Sequence, residues 1–218
     1  MDRFNRHMGR FALNLAMVLF SLLALFPLCW VALTAFQPTD QGVSFVLADI
    51  LAKKPTLQNF VRVSELIPMA QNFWNSVVVS VVGTLLTLFF CALAGYAFAK
   101  IPFKGSKWLF GMILVAMMIP YQVTQVPLYI LVVKQFKMSN TYAALILPGI
   151  VSSYNVFLAK QFFTSIPTPL LESAKLDGCS HPGIFVKIVM PLSKTVLAVM
   201  AINTFMSTWN TFFWPFLV

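Results

Sequence analysis

The sequence has 218 residues, of which 59% are hydrophobic and only 10% are charged, and its mean hydropathy is +0.83. A soluble domain carries roughly a quarter charged residues, so the composition excludes a chain built around a single soluble core. The net charge of +9 would suggest nucleic acid in a soluble protein. Here the basic residues lie in short segments between apolar stretches, where they set membrane topology. We therefore expect a lipid bilayer as the partner, and no nucleic acid.

Five uncharged, mostly apolar stretches follow one another along the chain. Each has about 22 to 27 residues, and about 20 suffice for a helix to cross the hydrocarbon core of a bilayer. The first is longer than the 7 to 15 apolar residues of a secretory signal, so we expect it to be a retained span. The sequence predicts an all-α polytopic membrane protein with five transmembrane helices, at residues 11–36, 73–99, 108–133, 138–159 and 195–218.

The basic residues predict the orientation of these spans. If the N-terminus is cytoplasmic, ten Lys and Arg residues lie inside and five lie outside. Cytoplasmic loops carry the excess of Lys and Arg. We therefore expect a multi-pass protein with a cytoplasmic N-terminus, and a long outward loop at residues 37–72.

Three of the stretches contain ordered polar residues. A stripe of small and hydroxyl residues in the second is typical of a helix-packing surface, with pathway lining as the alternative. In the third, Pro120 and Pro127 bracket Gln122 and Gln125, which predicts a kinked or unwound backbone that either is structural or contacts a substrate. A stripe in the fifth is either packing or pathway lining. The stripes are Asn72, Ser76, Ser80, Gly83, Thr84 and Thr87 in the second stretch, and Asn203, Ser207, Asn210 and Trp214 in the fifth.

Several kinds of site are absent from the sequence. None of the five stretches contains Asp, Glu, Lys, Arg or His, whereas proton-coupled carriers need ionisable groups at depth. The phosphate-binding pattern GxxxxGK[ST] is also missing. The Cys and His residues have no metal-ligand spacing, and no catalytic constellation can be assembled. We expect no catalytic or metal-binding residue and no enzymatic activity, so energy for uphill transport would come from another subunit.

The longest segment on the predicted inner side, residues 160–194, has helix start and stop signals. Thr168 followed by Pro169 predicts an N-cap and a first turn, and Gly178 predicts the C-terminal stop. A second short helix is expected to begin near Ser180 and to end before Pro191. Two short helices joined at a glycine would form a compact elbow on the inner side, which is suited to docking.

At this elbow the sequence resembles the permease subunits of ABC-type importers, in their carbohydrate-uptake (maltose or multiple-sugar) branch. The family signature is E-A-A, three residues, G, nine residues and I-x-L-P. Here Glu172-Ser173-Ala174 is followed at the same spacing by Gly178 and by Ile188-x-Met190-Pro191. The phrase Trp209-Asn-x-Phe-x-Trp-Pro also resembles that branch, although Thr211 replaces the usual acidic or amide residue.

The resemblance implies the type I ABC importer permease fold, with residues 1–70 as an N-terminal region and 71–218 as the permease domain. It also implies a sixth span after the Trp-Pro phrase, so the sequence, which ends at Val218, looks truncated before that helix. The expected location is the bacterial plasma (inner) membrane. The alternative function is a truncated or non-transporting membrane scaffold subunit.

The resemblance further implies a division of labour among subunits. This chain would form the path for a carbohydrate, together with a second permease subunit in a heterodimer, and a solute-binding protein would deliver the sugar. A cytoplasmic ATPase dimer would use the ATP, and no cofactor would bind this chain directly. Glu172 would pair with a basic residue of the ATPase, although an exposed glutamate early in a helix can also simply complement the helix dipole. The coupling elbow comprises Glu172, Ser173, Ala174, Asp177, Gly178, Ile188 and Pro191, of which Ser173, Ala174 and Gly178 would keep it slim.

Overall fold

The computed structural model describes residues 2–38 and 54–218, and within these ranges every regular element is helical. The chain forms two compact units, Met1–Ala70 and Gln71–Val218. Part of the predicted outward loop, residues 39–53, lies outside the described residues.

The first unit contains a long apolar helix and a short one. Helix α1 is Asp2–Ala35 and helix α2 is Gln58–Leu66. The Asn59 amide donates hydrogen bonds to the carbonyls of Ala35 at 2.9 Å and Gln37 at 2.6 Å, and the rings of Phe36 and Phe60 lie 5.3 Å apart. Because the last carbonyls of a helix have no partner within it, α2 completes the end of α1.

The second unit is built from nine helices within the described residues. Two carry irregular extensions: α5 continues as a wide π-helical turn, Ile130–Gln135, and α6 as a tight 3-10 turn, Leu147–Gly149. The helices are α3 Met69–Lys100, α4 Ser106–Met117, α5 Tyr121–Tyr129, α6 Tyr142–Ile146, α7 Ser153–Thr164, α8 Thr168–Leu176, α9 His181–Leu192, α10 Lys194–Trp209 and α11 Phe213–Leu217.

Three segments of the described chain are long and apolar enough to cross a membrane as they stand: Gly9–Ala35, Met69–Lys100 and Lys194–Leu217. Two bent helix pairs raise the number to five if each pair forms one span. The α4–α5 pair bends by 97° and the α6–α7 pair by 45°. The structure is therefore compatible with the five predicted spans, and it shows that two of them are broken.

The break in the third span confirms the predicted kink. It lies at Pro120, which directly precedes α5, whereas Pro127 lies inside α5 without ending it. The fourth predicted span, 138–159, is interrupted at residues 150–152. The sequence predicted no break there; Pro148 and Gly149 end the first half as a 3-10 turn.

The core of the second unit lies where α3 crosses α7. Ala92 and Tyr96 of α3 are buried with Val156, Ala159 and Phe163 of α7. A Cβ atom placed on Gly95 would lie 2.6 Å from the Ala159 Cβ and 2.9 Å from the Lys160 amide nitrogen. Only glycine therefore permits the two backbones to approach this closely.

The polar stripe of the second span behaves mainly as a packing surface. Ser80, Gly83, Thr84 and Thr87 are buried, as the packing interpretation predicts, although nothing lies within 4 Å of the position of a Cβ atom on Gly83. The two residues at the start of the stripe, Asn72 and Ser76, are exposed. Thr87 also lies at a cavity, described below, so packing and lining are not exclusive at that position.

Replacing Gly95 tests the helix crossing. Gly95→Ala would force a methyl group into the Ala159 contact, and overpacking of this kind costs about 1–3 kcal/mol. Gly111→Ala is the matched control, because nothing lies within 4 Å of its Cβ position and alanine favours a helix by roughly 0.5–1 kcal/mol over glycine. We expect thermal unfolding in detergent to occur at a lower temperature for Gly95→Ala and at an unchanged or higher one for Gly111→Ala. Equal midpoints for the two variants would contradict the crossing.

Candidate functional site

The elbow between α8 and α9 is shaped by a glycine in a left-handed conformation. Gly178 has φ +83°, and its N–H donates to the Lys175 carbonyl at 3.0 Å, while the Cys179 N–H donates to the Ala174 carbonyl at 2.9 Å. This pair of bonds is the usual glycine-terminated end of a helix. Ser180 then caps α9, its hydroxyl accepting a 3.4 Å hydrogen bond from the Gly183 N–H. The predicted stop and the predicted second start are both confirmed.

Two details of the elbow differ from the prediction. Helix α8 begins at Thr168 with Pro167 in the capping position, so Thr168 is not the N-cap. Helix α9 does not end before Pro191 but continues to Leu192. It passes through a wide turn at Phe185–Val189, where the Met190 N–H donates to the Phe185 carbonyl. In a regular helix a proline ring meets the carbonyl four residues earlier, and the wide turn directly before Pro191 makes room for it.

The elbow has a buried face and an exposed face. Leu171 and Ala174 of α8, and Ile184, Phe185 and Val189 of α9, lie in the core. The exposed face carries most of the predicted docking residues. Ala174, which was predicted with them, lies on the buried face instead. Ala174 is 8% exposed, so its small size serves packing within the chain. Ile188 packs partly against the core, and the residues on the exposed face are Glu172, Ser173, Asp177, Gly178 and Pro191, with Leu176 beside them.

Polar contacts connect the elbow to the end of α3. The Tyr96 hydroxyl lies 3.3 Å from Nδ1 of His181, the first residue of α9, and the Tyr96 ring packs on Phe185 at 5.3 Å. The Lys100 ammonium donates a 2.6 Å hydrogen bond to the Ile166 carbonyl, just before α8. Helix α9 and the segment that leads into α8 are therefore held against the same transmembrane helix.

A second candidate site is a cavity of about 360 Å³ inside the bundle. Its polar lining comes from helices α3, α5, α7 and α10 and from the segment that follows α10. Three of the residues predicted to line a pathway, Asn203, Ser207 and Trp214, do lie there. The other polar lining residues are Thr87, Tyr121, Ser152, Asn155, Thr204, Thr208 and Thr211.

The remaining predicted lining residues lie elsewhere. Asn210 is exposed outside this lining, and its amide donates to the Met206 carbonyl at 2.7 Å. Gln122 is exposed and Gln125 is buried, and neither lines the cavity. The Trp214 indole N–H donates to the Ala144 carbonyl at 3.0 Å. Trp214 therefore lines the cavity with its ring, while its N–H already has a hydrogen-bond partner.

One buried polar residue of the cavity, Asn155, was not among the residues predicted from the sequence. This side chain is 3% exposed, and its Nδ2 donates to the Thr204 hydroxyl at 2.9 Å. Its Oδ1 accepts no hydrogen bond from the described residues. An amide within an apolar span is costly in lipid, and that signal was available in the sequence. Asn155 belongs to none of the helical stripes, so no pattern in the sequence marked it.

The cavity lies beside the interruption of the fourth span. Gly149, just before that break, and Ser152, at its end, both line the cavity. The Thr87 hydroxyl donates to the Gly149 carbonyl at 3.2 Å, and the Cys91 thiol lies 3.7 Å from the Ser152 carbonyl and accepts from the Ser152 N–H at 3.4 Å. Non-helical backbone at membrane depth is tolerated where protein covers it or where it lines a water-filled cavity, and here it is covered by α3 and borders the cavity.

Comparison with known proteins places this architecture in a family. The family model described as "Binding-protein-dependent transport system inner membrane component" matches residues 91–218. The arabinooligosaccharides transport system permease protein AraQ of Halalkalibacterium halodurans is 35% identical over 214 residues, which cover 94% of this chain and 74% of AraQ. The lactose transport system permease protein LacG of Rhizobium radiobacter is 31% identical over 198 residues, covering 91% of this chain and 71% of LacG.

A solved structure shows the same fold. It belongs to a bacterial ABC transporter involved in the import of the acidic polysaccharide alginate, and it superposes with a TM-score of 0.80 at 22% identity. The match covers 97% of this chain and 74% of that one. With an apolar helical bundle, an elbow on its surface and these relatives, the chain is a multi-pass membrane protein that belongs to the family of inner membrane components of binding-protein-dependent transport systems.

Proposed function

We propose that this chain is the membrane-spanning subunit of an ATP-driven importer, and that it forms the path for a carbohydrate delivered by a solute-binding protein. The observation that carries the proposal is the elbow, whose exposed face bears Glu172 and whose buried face is fixed to the transmembrane core. The relatives named for arabinooligosaccharide and lactose transport support a carbohydrate as the substrate.

The distribution of lysines supports an orientation with the elbow in the cytoplasm. Lys100, Lys107, Lys160 and Lys175 meet at the end of the bundle that carries the elbow. Excess Lys and Arg mark the cytoplasmic side. Because the spans alternate in direction, this orientation puts the N-terminus in the cytoplasm of a bacterial cell, with the spans in its plasma membrane.

The elbow would couple the spans to a cytoplasmic ATPase dimer. Glu172 is exposed on α8 and would pair with a basic side chain of the ATPase, which alone would bind and hydrolyse ATP. A pull on the elbow would reach α3 through Tyr96 and Lys100, since each contacts the elbow or the segment leading into it. A second permease subunit would complete the path in a heterodimer.

The cavity is the candidate place for the sugar. Sugar hydroxyls both donate and accept hydrogen bonds. The lining contains Ser, Thr and Tyr hydroxyls and the Asn203 amide, which can also do both. The Asn155 Oδ1 is a buried acceptor with no partner among the described residues. A sugar hydroxyl donating to this atom would satisfy it, and a buried polar atom left without a partner costs about 1–3 kcal/mol.

The first functional prediction concerns Glu172. Glu172→Gln removes the charge while keeping the shape of the side chain. When two opposite charges become buried together on docking, removing one of them weakens binding several-fold. We therefore expect about fivefold less ATPase, or less still, to co-purify with the variant, and ATP-driven uptake to fall in proportion. Both are measured in membranes or proteoliposomes containing the assembled importer.

Glu65→Gln serves as the matched control for Glu172→Gln. Glu65 is also an exposed glutamate on a short helix, but that helix is α2, in the first unit, and Glu65 is not part of the elbow. Its replacement should leave uptake and co-purification unchanged. Normal co-purification and normal uptake in Glu172→Gln would contradict the coupling role.

The second functional prediction concerns Asn155. Asn155→Leu keeps the approximate volume but removes both the contact to Thr204 and the free acceptor. We expect uptake at a limiting sugar concentration to fall by roughly 5- to 150-fold, which corresponds to about 1–3 kcal/mol, while the ATPase still co-purifies. The measurement is transport of radiolabelled sugar across a range of concentrations.

Asn210→Leu is the control for Asn155→Leu. Asn210 is an amide near the same cavity but outside its lining, and it bonds only to backbone in the described contacts. Its replacement should change uptake by less than about twofold, as is usual for exposed positions. Equal losses in the two variants would remove the cavity from the proposed path.

A further inference from the structure

A second and larger opening lies at the elbow end of the bundle, separate from the cavity at the break. It is a cleft of about 940 Å³ between the turn that joins α3 to α4, the end of α7 and helix α8. Four lysines line it, namely Lys100, Lys107, Lys160 and Lys175, together with one carboxylate, Glu172. We propose that this cleft binds the phosphate headgroup of an anionic phospholipid from the adjacent leaflet.

The charge of the cleft is not neutralised by the contacts that its lysines make. Lys100 donates to the Ile166 carbonyl at 2.6 Å, and the Lys160 ammonium lies 4.5 Å from the centre of the Phe110 ring. A carbonyl and an aromatic face attract a cation but carry no net charge. With Glu172 as the single carboxylate, the lining keeps an excess of three positive charges. An anionic occupant complements this excess.

The position of the cleft favours a lipid over a soluble anion. It lies at the turn where the apolar helix α3 ends and the apolar helix α4 begins. Lys107 and Trp108 begin α4 side by side, and Trp108 is 71% exposed. Tryptophan is enriched at the level of lipid headgroups, and basic pockets between transmembrane helices bind anionic headgroups. The Trp108 ring would contact the start of the lipid's acyl chains, while the lysines contact its phosphate.

The walls of the cleft are fixed by packing. The Phe98 ring lies 5.6 Å from both Phe103 and Phe110, and Phe110 stacks on Phe157 of α7 at 6.3 Å. Gly105, with φ +87°, permits the sharp turn that brings the segment before Lys107 back along α3. A site whose walls are already in place loses little conformational entropy on binding.

The test measures lipid retained by the protein. The full chain, purified in detergent with its partner subunits, is mixed with phosphatidylglycerol or phosphatidylcholine, and bound lipid is counted by native mass spectrometry. We expect phosphatidylglycerol to bind preferentially. Lys107→Gln/Lys160→Gln should weaken that binding by about fivefold for each lysine removed, because one basic residue near the surface contributes about that factor. Binding of phosphatidylcholine should not change.

Two further variants distinguish loss of the lysines in the cleft from a general loss of positive charge and from misfolding. Lys134→Gln/Lys137→Gln removes the same charge from two exposed lysines outside the cleft and should leave binding unchanged. Lys107→Arg/Lys160→Arg keeps the charge and should retain phosphatidylglycerol. Equal weakening by the two glutamine pairs, or loss of binding in the arginine pair, would overturn the proposal.

Two competition experiments test the source of the anion. Excess orthophosphate should not displace bound phosphatidylglycerol; if it does, the site binds free phosphate and the lipid assignment is wrong. The complex should bind the same amount of phosphatidylglycerol with its ATPase subunits and after they have been dissociated. More lipid bound after dissociation would show that a protein surface occupies the cleft, which also contradicts the proposal. Neither outcome depends on whether the chain carries a sugar.

Discussion

The structure depends on one constraint, which is that backbone N–H and C=O groups in a bilayer must find partners within the protein. The fourth span breaks at residues 150–152 and leaves such groups at membrane depth. Helix α3 supplies the partners, because the Thr87 hydroxyl binds the Gly149 carbonyl and the Cys91 thiol contacts the carbonyl and the N–H of Ser152. Thr87, from the polar stripe, and Cys91, one turn further along α3, therefore let a neighbouring span be discontinuous.

The break and the elbow are connected by one short helix. Helix α7 begins beside the break, places Asn155 in the cavity, and passes the close contact between Gly95 and Ala159 before reaching the segment that leads into α8. Because α3 contacts α7 at the glycine and the elbow at Tyr96, α3 and α7 form a continuous path of packed contacts between the two sites. Such a connection fits a mechanism in which movement of the elbow alters the cavity.

The sequence predicted the parts of the molecule that depend on local chemistry. Gly178 and Ser180 marked the end and the start of the elbow helices because a left-handed residue and a side-chain cap act within a few residues. The sequence did not predict the features that depend on contacts between residues far apart in the chain. Continuation of α9 past Pro191 needs the wide turn at Phe185–Val189, and the burial of Ala174 needs the transmembrane core. Asn155 could have been weighed by its cost in lipid, but its place in the cavity follows from the broken span beside it.

The most direct measurement of the central claim is thiol accessibility in the assembled importer. In a chain with Cys29→Ser and Cys179→Ser, a cysteine is introduced either as Ser207→Cys, in the cavity lining, or as Ile202→Cys, at an exposed apolar position outside it. The account predicts that a charged, water-soluble thiol reagent labels the first variant, that the transported sugar slows this labelling, and that the second variant reacts little because it faces lipid. Absence of labelling at Ser207→Cys, or labelling that the sugar does not affect, would contradict a transport path at the broken span.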